Sequence, residues 1–491
     1  MLQRYSISFL GYGLTYLANL ICIPLIIYLS SASNYGEYII FIGYLGILTA
    51  IAPLGLGFKS KRNMPGALSA KYRGEIFYPQ FYLNILFAII LGFLFSIFLP
   101  IIESYFFESN ININSSLIIA YSVVYTIYSQ IGFILKFSER IISYNILGFL
   151  NPMFFLLGVI AIYYLEDSIS IKSLVLAQIF SCLLNIIIFS YQCYKIVGFR
   201  IITYTKEEIR WDLRLGLPLL LVVVIEILIT SSDRFVISAF MLSQEVAYYT
   251  VAYTVASLIL IIPKLLSISL EPRLMSLVDK KDDDEIKVNM TFAINLFLLI
   301  GLPMIAGAFL YGELAISIFI NSDFATHSYL ALNVLIVGMF FYGLSILMIC
   351  LMMAFIKTKN ILFINACAAF LNLTLNIIIF NFYQDIIVAA YTSMISYMLM
   401  TLFLNFSISK FHKLNIVNKE FYKIFVSSTM SYGMLKYLLT FSIQNNIYAL
   451  IINVIIFIII YVLCLILFKS FTTRTIYNSL RIYFNLKETW K

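Results

Sequence analysis

The chain has 491 residues, of which 62% are hydrophobic and only 11% are charged, and its formal net charge is +8. An ordinary soluble domain carries about 25% charged residues, so this composition excludes that class and indicates an integral membrane protein. The excess of positive charge does not indicate a nucleic-acid partner, because the basic residues lie in short loops beside apolar segments and no basic soluble module is present.

Fourteen apolar segments follow one another along the chain. Each has about 20 residues, the length that a helix needs to cross roughly 30 Å of hydrocarbon. Their uniform apolarity excludes the alternating pattern of a barrel strand, so the sequence predicts an all-α polytopic membrane protein with about 14 transmembrane helices. The predicted spans are 5–29, 38–58, 79–101, 116–136, 143–164, 171–193, 213–235, 248–270, 290–311, 328–353, 360–382, 386–409, 421–441 and 447–468.

Basic residues occupy alternate gaps between these segments. All of the 32 Lys and Arg residues except Lys172, Arg234, Lys264 and Lys436 lie in the gaps on one side or in the C-terminal tail, while the other gaps are short and acidic. Basic loops face the cytoplasm in multi-spanning proteins. Both termini are therefore predicted to be cytoplasmic, and the number of spans is predicted to be even.

Short stretches recur six spans apart. Residues 34–38 (Asn-Tyr-Gly-Glu-Tyr) open the second span and resemble residues 245–249 (Glu-Val-Ala-Tyr-Tyr), which open the eighth. Six is an even number, so the copies keep one orientation and form a parallel repeat about an axis along the membrane normal. Chance similarity between Ile-rich and Tyr-rich helices is the alternative. The predicted organisation is an N-terminal six-helix lobe at 1–193, a cytoplasmic linker at 194–212, a C-terminal six-helix lobe at 213–409, and two additional helices with a cytoplasmic tail at 410–491.

The sequence offers no catalytic motif. It contains no GxxxxGK[ST], HExxH or GxSxG pattern. Its six cysteines form no CxxC pair, and its two histidines are isolated in loops. We therefore predict no catalytic residue, no metal and no cofactor.

Ionisable residues inside the predicted spans are the remaining candidates for a functional site, because each costs a few kcal/mol to insert into a membrane. Glu226 lies near the middle of the seventh span, and Thr230, Asp233 and Arg234 follow it at i+4, i+7 and i+8, which predicts one polar stripe on that helix. The functional interpretation is a cavity wall that contacts a polar substrate or carries a coupling proton. The alternative is a structural contact between helices, and for Asp233 and Arg234 a pair that anchors the helix end.

Three basic residues near the cytoplasmic side have two interpretations each. Lys264 follows Pro263 in the eighth span, where it either extends to the headgroups or contacts a phosphate in a cavity. Lys59 and Arg62 lie in the loop after the second span. They either bind an anionic headgroup at a cytoplasmic opening or reflect only the charge bias of cytoplasmic loops.

Two neighbouring stretches carry a family resemblance: residues 232–240 (Ser-Asp-Arg-Phe-Val-Ile-Ser-Ala-Phe) and 245–252 (Glu-Val-Ala-Tyr-Tyr-Thr-Val-Ala). They resemble the start of the second lobe in bacterial O-antigen and polysaccharide flippases, members of the multidrug, oligosaccharidyl-lipid and polysaccharide exporter superfamily. Residues 25–31, 35–38 and 54–57 resemble the opening of the same proteins. Twelve spans are common among these flippases, and fourteen occur in the relatives that flip the peptidoglycan lipid precursor.

The resemblance implies a transporter and not an enzyme. Its two lobes would enclose a central cavity and move an undecaprenyl-diphosphate-linked oligosaccharide, such as an O-antigen repeat unit of lipopolysaccharide, from the cytoplasmic to the periplasmic leaflet of the bacterial inner membrane by alternating access. The implied partners are this lipid-linked oligosaccharide, membrane lipids and other membrane proteins of polysaccharide assembly. The residues predicted to contact substrate are Arg234, Lys264, Glu226, Asp233, Lys59 and Arg62.

Two other functions stay open at this point. An ion-coupled multidrug exporter of the same superfamily would favour a carboxylate inside the first six spans, and the predicted spans show none there. A polysaccharide polymerase or ligase would have many spans and a long periplasmic loop. The predicted outer loops are too short for that.

Overall fold

The computed structural model describes residues 2–53, 56–57, 60, 64, 69–107, 113–166, 168–200, 205–412, 418–439 and 447–470. Throughout these residues the regular secondary structure is helical, which confirms the predicted all-α class. The helices are α1 (Leu2–Ser30), α2 (Ala32–Ile51), α3 (Ala70–Phe106), α4 (Ser115–Phe137), α5 (Ile141–Glu166), α6 (Ile171–Val197), α7 (Lys206–Phe240), α8 (Ser243–Ser257), α9 (Ile261–Asp279), α10 (Asp283–Phe319), α11 (Ser322–Ala354), α12 (Thr358–Phe380), α13 (Ile386–Ser409), α14 (Lys419–Leu439) and α15 (Ile447–Leu467).

Every one of the fourteen predicted spans coincides with a helix, and α8 and α9 together form the eighth. Counted over the described residues, twelve spans are long and apolar enough to cross a membrane. The other two predicted positions are those of α7, which carries the polar stripe, and α14, which buries Ser427, Ser428 and Ser431. The chain is a multi-pass membrane protein.

Helix α7 extends beyond both ends of its predicted span. At its start the hydroxyl of Thr205 accepts a hydrogen bond from the N–H of Glu208 (3.2 Å), and the Glu208 carboxylate accepts one from the N–H of Thr205 (3.1 Å). This reciprocal cap satisfies two donors that a helix otherwise leaves without partners. Hydropathy alone therefore places the start too late, because the first turns of α7 are polar and depend on the cap.

The eighth span is interrupted by a 3-10 turn at Leu258–Leu260. Pro263, near the start of α9, has no N–H to donate to the carbonyl of Ile259, so the α-helical ladder lacks one bond at this place. A proline inside a span interrupts the helix in this way, either as a fixed kink or as a bending point.

The described helices fall into two compact units. The first comprises residues 1–250 and 373–386, and the second comprises residues 251–372 and 387–491. The lobe boundaries at 193, 213 and 409 stay a prediction from sequence.

An apolar cluster lies in the first unit between α3, α4, α5 and α6. The ring centroids of Phe77 and Phe133 are 6.4 Å apart within it. Next to the cluster, the Tyr82 hydroxyl donates to the carbonyl of Arg200 (2.7 Å), and the Tyr78 hydroxyl donates to that of Gly198. These two bonds fix the chain that leaves α6 onto α3. The buried members of this inner apolar cluster are Met64, Phe77, Tyr78, Ile131, Ile134, Leu135, Leu147, Phe189, Cys193, Ile196 and Val197.

The last two helices belong to the second unit, where both pack on α10. The Tyr461 hydroxyl of α15 donates to the carbonyl of Leu299 (2.8 Å). The ends of α14 and α15 are joined by a small polar network: Glu420 pairs with the ammonium of Lys423 (2.8 Å) and accepts from the hydroxyl of Ser470 (2.7 Å). The helical hairpin is therefore fixed both along its length and at one end.

Candidate functional site

Asp233 is the centre of the candidate site. It lies inside α7, two turns before the end of the helix, and its side chain is fully buried. The Tyr249 hydroxyl of α8 donates to Oδ2 (2.5 Å), and the Asn376 amide of α12 donates to Oδ1 (2.8 Å). Both partners are themselves fully buried. The carboxylate therefore connects three helices within the first unit.

This placement bears on one of the two interpretations of Asp233. The sequence puts the residue on the polar stripe of the seventh span, near the predicted end at 235, with a pair that anchors the helix end as the alternative. The structure instead continues α7 to Phe240, so the carboxylate lies in the helix interior. Burial of a carboxylate is expensive unless hydrogen bonds satisfy it, and the two donors supply that compensation.

Arg234 is half-buried next to it and contacts different partners. Its Nε–H donates to the hydroxyl of Thr250 (3.2 Å), and its NH1 group donates to the backbone carbonyl of Thr230 (3.0 Å). Consecutive residues of α7, Asp233 and Arg234, thus bond to consecutive residues of α8, Tyr249 and Thr250. All four belong to the two stretches that carry the family resemblance.

Asn376 was not predicted as a site residue. It lies in the eleventh predicted span, four residues after Asn372, and both side chains are buried. The sequence signal for Asn376 is a pair of amide side chains one turn apart in an apolar helix, since residues at this spacing lie on one face of the helix. The pairing of Asn376 with Asp233 joins residues 143 positions apart, which no local pattern reveals.

The other predicted site residues have different environments. Glu226 lies on α7 about 10 Å from Asp233 along the axis, and its side chain is exposed. The carbonyl of Glu226 accepts from the Thr230 hydroxyl (2.8 Å). Lys264 is exposed on α9 in the second unit. Lys59 and Arg62 lie outside the described residues. The roles of these residues in binding stay predictions.

Helix α2 packs closely beside this site. The ring of Tyr44 lies 4.5 Å from that of Phe235, the residue after Arg234. At its start, α2 approaches the turn between α7 and α8 so closely that a Cβ atom on Gly36 would overlap the carbonyl oxygen of Ser243. Glycine is required here by the space between two backbones.

A comparison with known families identifies the chain. The model of a family described as polysaccharide biosynthesis protein matches residues 75–328, which is just over half of the sequence and includes α7, α8 and most of the site. The chain belongs to this family.

Individual relatives share little sequence with this polysaccharide biosynthesis protein. A Shigella flexneri protein named as a candidate O-antigen transporter is 33% identical over 127 residues, which are 26% of this chain and 30% of that protein. The match thus spans less than a third of the relative. The structure of the lipid II flippase MurJ in an inward closed conformation covers 97% of this chain and all of that one, with a TM-score of 0.75 and 16% identity.

A second fold comparison is with a multidrug resistance transporter of the MATE family and MOP superfamily, in an inward-facing conformation. It covers 88% of this chain and 98% of that one, with a TM-score of 0.58 and 16% identity. Identities this low show the fold alone. The predicted resemblance is confirmed at the level of family and fold, and the names of the relatives, all transporters or flippases, agree with the prediction of a transport protein.

Proposed function

We propose that this polysaccharide biosynthesis protein is a flippase for an undecaprenyl-diphosphate-linked oligosaccharide, such as an O-antigen repeat unit of lipopolysaccharide. It moves this substrate from the cytoplasmic to the periplasmic leaflet of the bacterial inner membrane by alternating access, with both termini in the cytoplasm. The observation that carries the proposal is an oriented arginine, Arg234, inside the predicted seventh span of a chain with this family membership and fold.

The chemistry of Arg234 fits a diphosphate. A guanidinium costs several kcal/mol in hydrocarbon and is tolerated where water or a polar partner reaches it. Its planar donors match phosphate oxygens better than an ammonium does. The bonds to Thr250 and Thr230 fix its orientation before substrate arrives. Asp233, adjacent in sequence and held by its own partners, supplies a compensating negative charge.

The lipid part of the substrate needs an apolar contact. In the second unit a cavity of about 570 Å³ lies between α10, α11 and α14. Phe309, Phe340, Phe341 and Phe425 contribute to its lining, with Ser428 at its polar part. A surface of this composition suits an isoprenoid chain, and we assign it that role within the proposal.

A leaflet assay tests the function. Cells that lack the protein are expected to accumulate lipid-linked repeat units on the cytoplasmic leaflet and to lose surface polysaccharide, and the gene supplied in trans restores both. Normal surface polysaccharide in the deletion strain would contradict the proposal.

Arg234→Ala is expected to reduce export about tenfold or more, because a hydrogen bond to a charged group contributes roughly 1.5–3 kcal/mol. Arg234→Lys keeps the charge and should recover part of the export, since it loses the planar fork. Surface polysaccharide is measured together with the amount of protein in the membrane. Arg210→Ala is the matched control, because Arg210 is an exposed residue of the same helix. Equal export by Arg234→Ala and Arg210→Ala would remove Arg234 from the substrate path.

An ion-coupled multidrug exporter is the second candidate. It is supported by the fold shared with the multidrug transporter and by Glu226, an exposed carboxylate inside a predicted span. In that case the deletion strain becomes sensitive to cationic drugs while its surface polysaccharide stays normal, the opposite of the result expected for a flippase.

A further inference from the structure

A group of neutral polar side chains is buried among α3, α4 and α6, away from the site described above. Asn84 is 1% exposed, Thr126 2%, Gln130 6% and Asn185 0%. Each has one buried side-chain oxygen for which the described part of the chain supplies no hydrogen-bond partner: Oδ1 of both asparagines, Oε1 of Gln130 and Oγ1 of Thr126. We call these four residues the amide cluster.

The packing of α3 against α4 places three of these residues at one level. The two helices run antiparallel, and Gly92 packs against Ser122, while the Phe77 ring lies 6.4 Å from that of Phe133. Asn84 is midway between Phe77 and Gly92. It therefore faces the middle of the opposite stretch on α4, where Thr126 and Gln130 lie one turn apart on the same face.

Helix α6 brings the fourth residue to the same level. It runs parallel to α4 and packs on both α3 and α4. Phe189 of α6 and Ile131 of α4 share the inner apolar cluster. Asn185 lies four residues before Phe189, and Gln130 and Thr126 lie one and five residues before Ile131. The four residues therefore lie at about the same level of three packed helices, beside the residues of the inner apolar cluster.

A fifth oxygen lies one turn from Asn84. Gln80 is 1% exposed, and its Oε1 also has no hydrogen-bond partner within the described residues. It contacts Gly57, whose φ of +107° and lack of a side chain allow the turn after α2 to cover it. The backbone of Gly57 therefore lies directly against the Gln80 side chain.

The chemistry of these atoms indicates what they bind. The amide oxygens are acceptors only, and the Thr126 hydroxyl accepts as well as donates. An unsatisfied buried acceptor costs about 1–3 kcal/mol, so a bound cation, or a water that donates hydrogen bonds, would stabilise the group. Neutral carbonyl-type oxygens are ligands that monovalent cations use when they lose their hydration shell. Protein sites for calcium and magnesium usually include carboxylates that balance the double charge, and none of these residues has one. We propose that the amide cluster binds a monovalent alkali cation.

The proposal goes beyond the flippase function and does not depend on it, since the cation is held by the first six helices alone. Its test is the thermal unfolding of the full-length protein in detergent, in sodium, potassium or choline chloride at equal ionic strength. Five cysteines of the described chain are buried, so a thiol-reactive dye reports unfolding. Sodium or potassium is expected to raise the midpoint by about 2 °C or more over choline, because a ligand of the folded state stabilises it.

Variants assign the effect to these residues. Gln130→Met and Asn84→Leu remove an oxygen at similar volume and should abolish the shift, and Thr126→Val serves where either fails to fold. Gln178→Met is the matched control, because Gln178 lies on α6 but bonds to Asn151 (3.4 Å). It should keep the full shift. Unfolding of Asp233→Asn is measured in the same three salts. A shift of the midpoint that persists in this variant does not come from the Asp233 carboxylate.

Two results would overturn the proposal. Equal unfolding midpoints of the unmodified protein in all three salts would mean that the amide cluster holds only water. A shift that survives in Gln130→Met, Asn84→Leu and Thr126→Val would place the cation elsewhere. Neither result depends on export, so failure of this proposal is distinguishable from failure of the flippase function.

Discussion

Gly36→Ala is expected to lower both the thermal stability of the protein and the polysaccharide export that we propose for it. The added methyl group would overlap the backbone carbonyl of Ser243, and backbone cannot rotate away as a side chain can. Overpacking of this kind costs about 1–3 kcal/mol and sometimes more. Helix α2 must then move from the α7–α8 turn, which also weakens the contact between Tyr44 and Phe235. We therefore expect a lower unfolding midpoint, and a loss of export that follows from the displaced helix and not from unfolding of the whole protein.

The same helix provides a control for this experiment. Gly46 has no atom within 4 Å of the position that its Cβ would occupy, so Gly46→Ala should keep stability and export. The unfolding midpoint and the surface polysaccharide are measured for both variants at matched membrane levels. Should Gly36→Ala match Gly46→Ala in both measurements, the close approach of α2 to Ser243 would have no importance for the protein.

Asp233→Asn should separate the charge of the buried carboxylate from its hydrogen bonds. The amide oxygen still accepts from Asn376, and the amide nitrogen donates to the Tyr249 hydroxyl, which can accept after rotation. The fold is therefore retained, while the negative charge beside Arg234 is lost. We expect a loss of export of about tenfold or more, because an ionised group inside a span is kept for function despite its cost.

Asp233→Ala gives the comparison. It leaves the donors of Tyr249 and Asn376 without their partner, at about 1–3 kcal/mol each, so the unfolding midpoint should fall as well as export. Asp233→Asn is expected to lower export alone. Full export by Asp233→Asn would show that the carboxylate has only the structural role of joining three helices.

The positions of the helices follow from the sequence because lipid allows few alternatives. A backbone that crosses hydrocarbon must satisfy its own hydrogen bonds, so length and apolarity alone predict a helix at each of the fourteen positions. The ends of the helices cannot be predicted from length and apolarity, since they depend on capping residues. Thr205 and Glu208 extend α7 by several polar residues that hydropathy assigns to a loop.

The sequence predicts the candidate site only in part. Arg234 and Asp233 are evident because charge inside a span is rare. Their partners Tyr249 and Asn376 look like ordinary residues of an Ile-rich and Tyr-rich helix until packing brings them together. The amide cluster is the extreme case. Asn84, Gln130 and Asn185 lie in three separate spans, and only tertiary packing shows that the described residues supply no donor to their side-chain oxygens.

The break at Leu258–Leu260 has a consequence for motion during transport. Through Tyr249 and Thr250 the first half of this membrane crossing is attached to α7, whereas the second half begins after the turn. A helix that lacks one backbone hydrogen bond bends more easily at that position than elsewhere. A tilt of the first half together with α7 would therefore be absorbed at Leu258–Leu260, and the second half would not have to follow it.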